Sequence, residues 1–236
     1  MGKRIIQQAR GHGSLSYQVR KYAYRFRVGY PQLGIEGKAK IIDLVDSPAH
    51  TAPLAKIMIN GKIFYNVAFE RAFIGQELSI GKAEKDGDIA KLDLIPSGSK
   101  IFNIENFPGD GGKFVRSSGS YATLLVKEKE ASVMLPSGKA VKLNKECRAT
   151  IGIISGAGRK EKPFVKAGNR HFLMKSKNKL WPRTSAVKMN VVDHPFGSGR
   201  GKNLSHGRKG KIAKRNAPAG ARVGMLRPRR SGRRKR

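Results

Sequence analysis

From residue 38 to residue 155 short apolar-rich runs alternate with turn signals, and no stretch sustains ten residues at helical spacing. KAKIIDLV (38–45) predicts a strand. KIMINGKIFYNVAF (56–69) predicts a hairpin, because Asn60-Gly61 supplies the two positive-φ residues of a type I′ turn between β-branched and aromatic flanks. ELSI (77–80) and KLDLI (91–95) predict two further strands around a polar loop, GKAEKDGDIA (81–90), and SGSKIFNIE (97–105) predicts another. The breaker-rich NFPGDGGKFVRSSGS (106–120) marks a domain boundary just before it or at the strand leading into it. A second β set follows: YATLLVKEKE (121–130), ASVMLPSGKAVKL (131–143) folded about Pro136-Ser137-Gly138, and CRATIGIIS (147–155). Many short strands at even spacing indicate small barrels or a sandwich, and two barrels of about 60 residues each fit the break.

Outside this region the periodicity fades. Residues 1–35 are basic, rich in Gly, Gln and Tyr, and read as an extended arm. After Gly156 one or two helical turns are expected around His171–Lys177. The 41 residues from Phe196 onward hold fifteen Lys+Arg and eight Gly with almost no large apolar groups, so they order only where a partner supplies contacts.

Charge sharpens this division. The 236 residues carry 49 Lys+Arg against 16 Asp+Glu, a formal +33. Fifteen of the acids lie between Glu36 and Glu161, where nineteen Lys+Arg leave a net of +4. The flanks hold thirty basic residues and one acid, Asp193, a net of +29. Such a balance opposes compaction unless a polyanion neutralises it, and nucleic acid is the leading partner. Aromatic residues interleave with the flanking cations, among them Tyr22, Tyr24, Phe26, Phe172 and Trp181. Cations for phosphates beside rings for unpaired bases point to folded RNA rather than a uniform duplex. No helix-turn-helix, basic zipper or zinc finger pattern is present.

The lone Cys147 excludes an internal disulfide and fits a reducing compartment. No signal-peptide pattern and no apolar run near the roughly 18–20 residues of a membrane span occur, so a cytosolic protein is expected.

Little else in the chain suggests chemistry. His12, His50, His171, His194, His206 and Cys147 are scattered, without metal-ligand spacing. GSGRGK (197–202) has the look of a phosphate loop, but Phe196 stands where the Walker spacing requires Gly. Cys147 beside Arg148 reads as a buried strand residue rather than a reactive thiol. The sharpest candidate is Asp193-His194, a carboxylate beside an imidazole. Adjacent side chains in extended backbone point to opposite faces, and Pro195 keeps His194 out of helical conformation. The pair therefore reads as a turn, with Asp193 capping amides and His194 against RNA. An RNA-processing enzyme using Asp193-His194 and a free nucleic-acid chaperone are the competing readings.

Several ordered motifs resemble the universal family of large ribosomal subunit protein two. They are DLVDSPAHTAPLAKI (43–57), GQELSIG (75–81), NIENFPGDGGK (103–113), SSGSYATLL (117–125), LPSGK (135–139), CRATIGIISGAGRKEKP (147–163), KAGN (166–169), WPR (181–183), MNVVDHPFGSG (189–199) and RNAPAGARVG (215–224). They span nearly the whole chain, and VDHPFG before a Gly-rich basic tail is highly specific. The Phe after the Pro and the compact arm resemble the archaeal-type branch. The resemblance implies a mainly β protein: a basic arm (1–35), an OB-fold barrel (36–97), an SH3-like barrel (98–170) and an extended rRNA-binding tail (171–236). It implies rRNA binding by Arg4, Arg10, Lys113, Arg148, Arg159, Lys160, Lys166, Asn169, Arg170, Trp181, Arg183, Asn190, His194, Arg200, Lys202, Arg208, Lys209, Arg215 and Arg222. The turn Asp193, His194, Pro195, Phe196 and Gly197 is then the part nearest the peptidyl-transferase region. Implied partners are large-subunit rRNA, neighbouring ribosomal proteins, the small subunit at an intersubunit bridge and nearby tRNA. Neither a membrane nor a homo-oligomer is implied, and no cofactor is bound by the protein alone, Mg2+ belonging to the surrounding rRNA. The implied location is the cytoplasmic ribosome. The chain departs from the family pattern at Ser47-Pro48-Ala49-His50, where an Asp-Pro-x-Arg turn is usual, and at Ser185-Ala186-Val187-Lys188, where Arg-Gly-Val-Ala is common.

Overall fold

The computed structural model describes residues 5–19, 22–127, 129–190 and 192–194. The chain divides into two compact units, one from Arg20 to Asn169 and the other combining Met1–Val19 with Arg170–Arg236.

The first unit is built on ten strands. β1 (Gly37–Val45), β2 (Leu54–Ile59), β3 (Lys62–Val67) and β4 (Glu77–Ile80) precede β5 (Ile89–Lys91) and β6 (Lys100–Phe102). β7 (Ala122–Lys127), β8 (Ala131–Met134), β9 (Ala140–Leu143) and β10 (Arg148–Ile151) complete the set. They form one sheet in the order β3-β2-β1-β4-β5-β10-β6-β7-β8-β9. The molecule is mainly β, as the runs of alternating residues predict. The hairpin forms at Asn60-Gly61, with φ of 48° and 72°, and pairs Ile59 with Lys62. The second predicted turn forms as well, the Gly138 N–H donating to the Leu135 carbonyl between β8 and β9.

Two hydrophobic cores lie within this unit. One gathers Ile41, Leu54, Ile57, Leu78, Ile89 and Phe102, the other Leu92, Ile95, Ile101, Leu124, Val133 and Ala149. Neighbouring residues divide between them: Ile89 faces the first core and Ala90 the second, and Phe102 and Ile101 split the same way. Alternation along an extended strand sends successive side chains to opposite faces, so β5 and β6 serve both cores at once.

Three sequence expectations need correction. KLDLI is not a strand: β5 begins earlier, at Ile89 inside the expected polar loop, and the Leu94 N–H closes a turn on the Lys91 carbonyl. Leu92 and Ile95 are both fully buried in the second core, a spacing of three that a turn satisfies and a strand does not. The first 35 residues are not uniformly extended, since a short helix α1 occupies Ile6–Gly11. Gln7, Gln8, Ala9 and Arg10 are good helix formers, and the Ile5 N–H is satisfied by Gln8 Oε1 at 3.3 Å. The expected turns near His171 are part of a ten-residue helix α2, Ala167–Ser176, which ends at Asn178 in left-handed conformation. Further on, Tyr30 and Phe26 pack on the first core, and Val28 bridges to Tyr65.

Candidate RNA-binding surface

The unit that joins Met1–Val19 to Arg170–Arg236 has Asp193 as its one acid in sequence. Arg10 on α1 and Arg183 are exposed, and neither guanidinium has a partner among the described residues. Arg170 lies over the Trp181 ring, 5.9 Å from its centroid, and the His171 ring meets Trp181 at 6.2 Å. Guanidinium and indole planes held together in this way suit a stacked base beside a phosphate. The Asn178 amide, at the end of α2, keeps its Nδ2 buried without a hydrogen-bond partner. The Asp193 and His194 N–H groups both donate to the Asn190 carbonyl, at 3.0 and 3.1 Å. His194 is only 7% exposed, and burial holds its pKa below the ordinary value, so the ring is neutral at pH 7. Lys166 and Asn169 are exposed on the stretch that leads into and begins α2.

Within the β unit the expected residues divide. Lys113 is exposed and pairs with Asp110 at 3.4 Å. Arg159 is exposed and donates from Nε to Ser118 Oγ at 3.0 Å, on the 3-10 turn that also contains Lys160. Arg148 is different. It is 6% exposed, pairs with the fully buried Glu105 at 2.8 Å and donates from Nη1 to the Pro31 carbonyl. Its hydrogen-bonding capacity is turned inward, across the Tyr30 ring at 5.2 Å.

That inward group belongs to a network the sequence did not flag. Glu105 accepts from the N–H groups of Gly109, Gly111 and Arg148. Asp110 accepts from Asn106, Phe107 and Gly112. Burial alone would raise the Asp110 carboxyl, but these amides and Lys113 outweigh it and hold its pKa below the usual range. Arg116 donates to Asn103 and to the Gly111 and Gly112 carbonyls, while Tyr30 bridges Asn103 and Thr150, each at 2.7 Å. Loop 105–113 is therefore a fixed shape with Phe107 exposed on it. The signal in the sequence was the pair of acids inside the Gly-rich NIENFPGDGGK, because carboxylates there have a row of backbone amides to satisfy.

The departure at Ser47-Pro48-Ala49-His50 is also internal: Ser47 is buried and its Oγ lies 2.8 Å from His50 Nδ1. Burial, then the positive Arg116, lowers the His50 pKa. Cys147 is buried at the start of β10, and burial, with the charges of Glu105 and Asp110, pushes its pKa up to about 11. No group of three metal-ligating side chains occurs among the described residues. No helix among them is long and apolar enough to cross a membrane. Arg4, Pro195, Phe196, Gly197, Arg200, Lys202, Arg208, Lys209, Arg215 and Arg222 lie outside the described residues.

Comparison with known proteins places the chain. Residues 85–216 match the family model described as Ribosomal Proteins L2, C-terminal domain. Over 244 residues, the whole of both chains, it is 41% identical to large ribosomal subunit protein uL2 of Methanothermobacter thermautotrophicus. The corresponding protein of Methanocaldococcus jannaschii is 43% identical over the same full length. That of Natronomonas pharaonis is 42% identical over 99% of this chain and 97% of its own. With full-length identity to archaeal relatives beside the family match, the chain belongs to the uL2 family of large ribosomal subunit proteins.

Proposed function

We propose that the chain is a structural constituent of the large ribosomal subunit in the cytoplasmic ribosome, binding large-subunit rRNA without catalysing a reaction. The observation that carries this is a unit in which the guanidinium groups of Arg10 and Arg183, without partners among the described residues, accompany an aromatic stack at Trp181 in a sequence with a single acid. Charge of that kind needs an external polyanion, and full-length likeness to proteins named as ribosomal says which one. An enzyme built on Asp193-His194 has less support, since both backbone amides are tied to Asn190 in a turn and the imidazole is buried.

The finer assignment follows the same reading. Residues 36–97 form an OB-fold barrel and 98–170 an SH3-like barrel, with 1–35 as arm and 171–236 as tail; two cores support two barrels, while Leu92, Ile95 and Phe102 pack across that boundary. Phosphates are neutralised by Arg4, Arg10, Lys113, Arg159, Lys160, Lys166, Arg170, Arg183 and the basic tail residues, while Trp181, Asn169, Asn190 and His194 meet bases or sugars. Arg148 holds loop 105–113 instead. By drawing rRNA helices together, the protein supports subunit association, tRNA placement and the architecture around the peptidyl-transferase centre, with neighbouring ribosomal proteins and the small subunit as partners.

Sucrose-gradient sedimentation of tagged protein from its host, with the RNA of its fraction sequenced, tests this. Co-migration with the large subunit and the full ribosome is expected. Migration as free protein with heterogeneous RNA would overturn it.

A further inference from the structure

The unit containing α1 and the Asn190–His194 turn encloses a cavity of about 440 Å³. That volume lies in the range of roughly 300–1,000 Å³ typical of small-molecule sites. Its apolar lining comes from Ile5, almost fully buried, with Leu180, Pro182 and Met189 beside it. Gln7, Thr184, Ser185 and His194 add polar atoms, and the guanidinium groups of Arg10 and Arg183, without partners among the described residues, line the same space. No carboxylate lines it among the described residues.

We infer that this cavity receives a single unstacked nucleobase of the bound RNA, with Arg10 and Arg183 holding the phosphates on either side of it. The inference rests on the RNA-binding reading above and adds a base-sized subsite to it. Three features select this ligand. Apolar walls accept the faces of a planar ring, which is how proteins take bases splayed out of single-stranded loops. Two guanidiniums beside an apolar cavity match the alternation of base and phosphate along one strand, and a buried apolar side chain would leave both without partners. Among the described residues no carboxylate in the lining opposes a phosphodiester. The polar edge at Gln7 and Thr184 is where a base would present its hydrogen-bonding groups.

Ultraviolet cross-linking of intact large subunits carrying the native chain gives the first readout, independent of any variant. The expected product joins a peptide from 5–10 or 180–189 to one nucleotide that pairs with no other. The second readout is chemical probing of base reactivity in subunits carrying Ala186→Phe, which fills the cavity from its lining. That nucleotide should gain reactivity by roughly tenfold, the low end of what losing one stacked base is worth. Arg10→Ala with Arg183→Ala should raise it too. Cross-links spread over many nucleotides, no cross-link in either peptide, or an unchanged reactivity profile would each overturn the inference while the protein still sediments with the subunit. Loss of sedimentation with the subunit by the native chain would instead overturn the ribosomal reading itself.

Discussion

Replacing Arg148 by Met separates a structural arginine from an RNA-binding one. The Arg148 side chain is 8% exposed and that of Glu105 is fully buried. Two bonds join them, Nη2 to Oε1 at 2.8 Å and Nε to Oε1 at 3.2 Å. Met fills the aliphatic space but leaves the Glu105 carboxylate inside the fold without its counter-charge. Removing one partner of a buried pair costs about 3–5 kcal/mol. Four kcal/mol shifts the folded-to-unfolded ratio by roughly a thousandfold, a large share of the approximately 5–15 kcal/mol that holds a domain together. Glu105→Gln should cost a comparable amount, because it removes the guanidinium's counter-charge and replaces one of the two oxygens that accept from Gly109 and Gly111 with an NH2 donor. The double variant should cost less than the sum of the two, the coupling falling within roughly 0.5–3 kcal/mol. Urea unfolding of the full chain without RNA, followed by far-ultraviolet circular dichroism, measures all three. If Arg148→Met leaves stability within about 0.5 kcal/mol of the native chain, as a surface change would, while rRNA affinity collapses, the structural assignment fails and Arg148 is a phosphate ligand.

Other perturbations test other parts of the fold. Gly112 has φ of 87° and an added Cβ would overlap the Asn103 carbonyl, so Gly112→Ala should cost at least about 2 kcal/mol by urea unfolding. Cys147, buried with its pKa raised to about 11, should resist iodoacetamide at pH 8 in the native chain and react fully in urea; stoichiometric labelling of the folded protein would contradict its burial. His50 and His194 both have folded-state pKa values below the unfolded one, so the unfolded state binds the proton more readily. Their contribution is complete above about pH 6.5 and is lost as pH falls through the lower folded values, and His50→Asn should flatten that loss in a pH series of unfolding curves. If about ten phosphates are contacted, rRNA affinity should fall by roughly a thousandfold or more between 50 and 200 mM salt, and a salt-insensitive affinity would refute phosphate neutralisation.

What the sequence revealed depended on the range of the interaction. Asn60-Gly61 was readable because a two-residue turn and its flanking strands are set by adjacent residues. β5 was not, because Ile89 pairs with Thr150 on β10, a partner no local pattern indicates. Arg148 looked like one more surface cation because its counter-charge is 43 residues away. Tyr30 sits in the basic arm in sequence, yet its hydroxyl meets Thr150 across 120 residues. Helix α1 is six residues long, too short to be stable by propensity alone, so its formation rests on tertiary packing around Ile5. The division of charge, by contrast, survived intact because it needs no pairing information.

The inward carboxylates show what that division does physically. Asp88 accepts from the amides of Ser79, Glu84 and Lys85, Asp110 from those of Asn106, Phe107 and Gly112, and Glu105 from Gly109, Gly111 and Arg148. These acids hold loop backbone in place, Asp110 while also pairing with Lys113, and an exposed pair such as Lys38–Glu77, at 4.0 Å, contributes little. Loops fixed before binding lose little entropy when RNA arrives, so the β unit meets its partner as a finished shape. The flanks, with thirty cations and one acid, have too few carboxylates to neutralise themselves, and a bound polyanion would release their counterions. A preformed β unit suits register and orientation and cationic flanks suit affinity, a division that matches a nearly balanced middle with almost purely cationic ends.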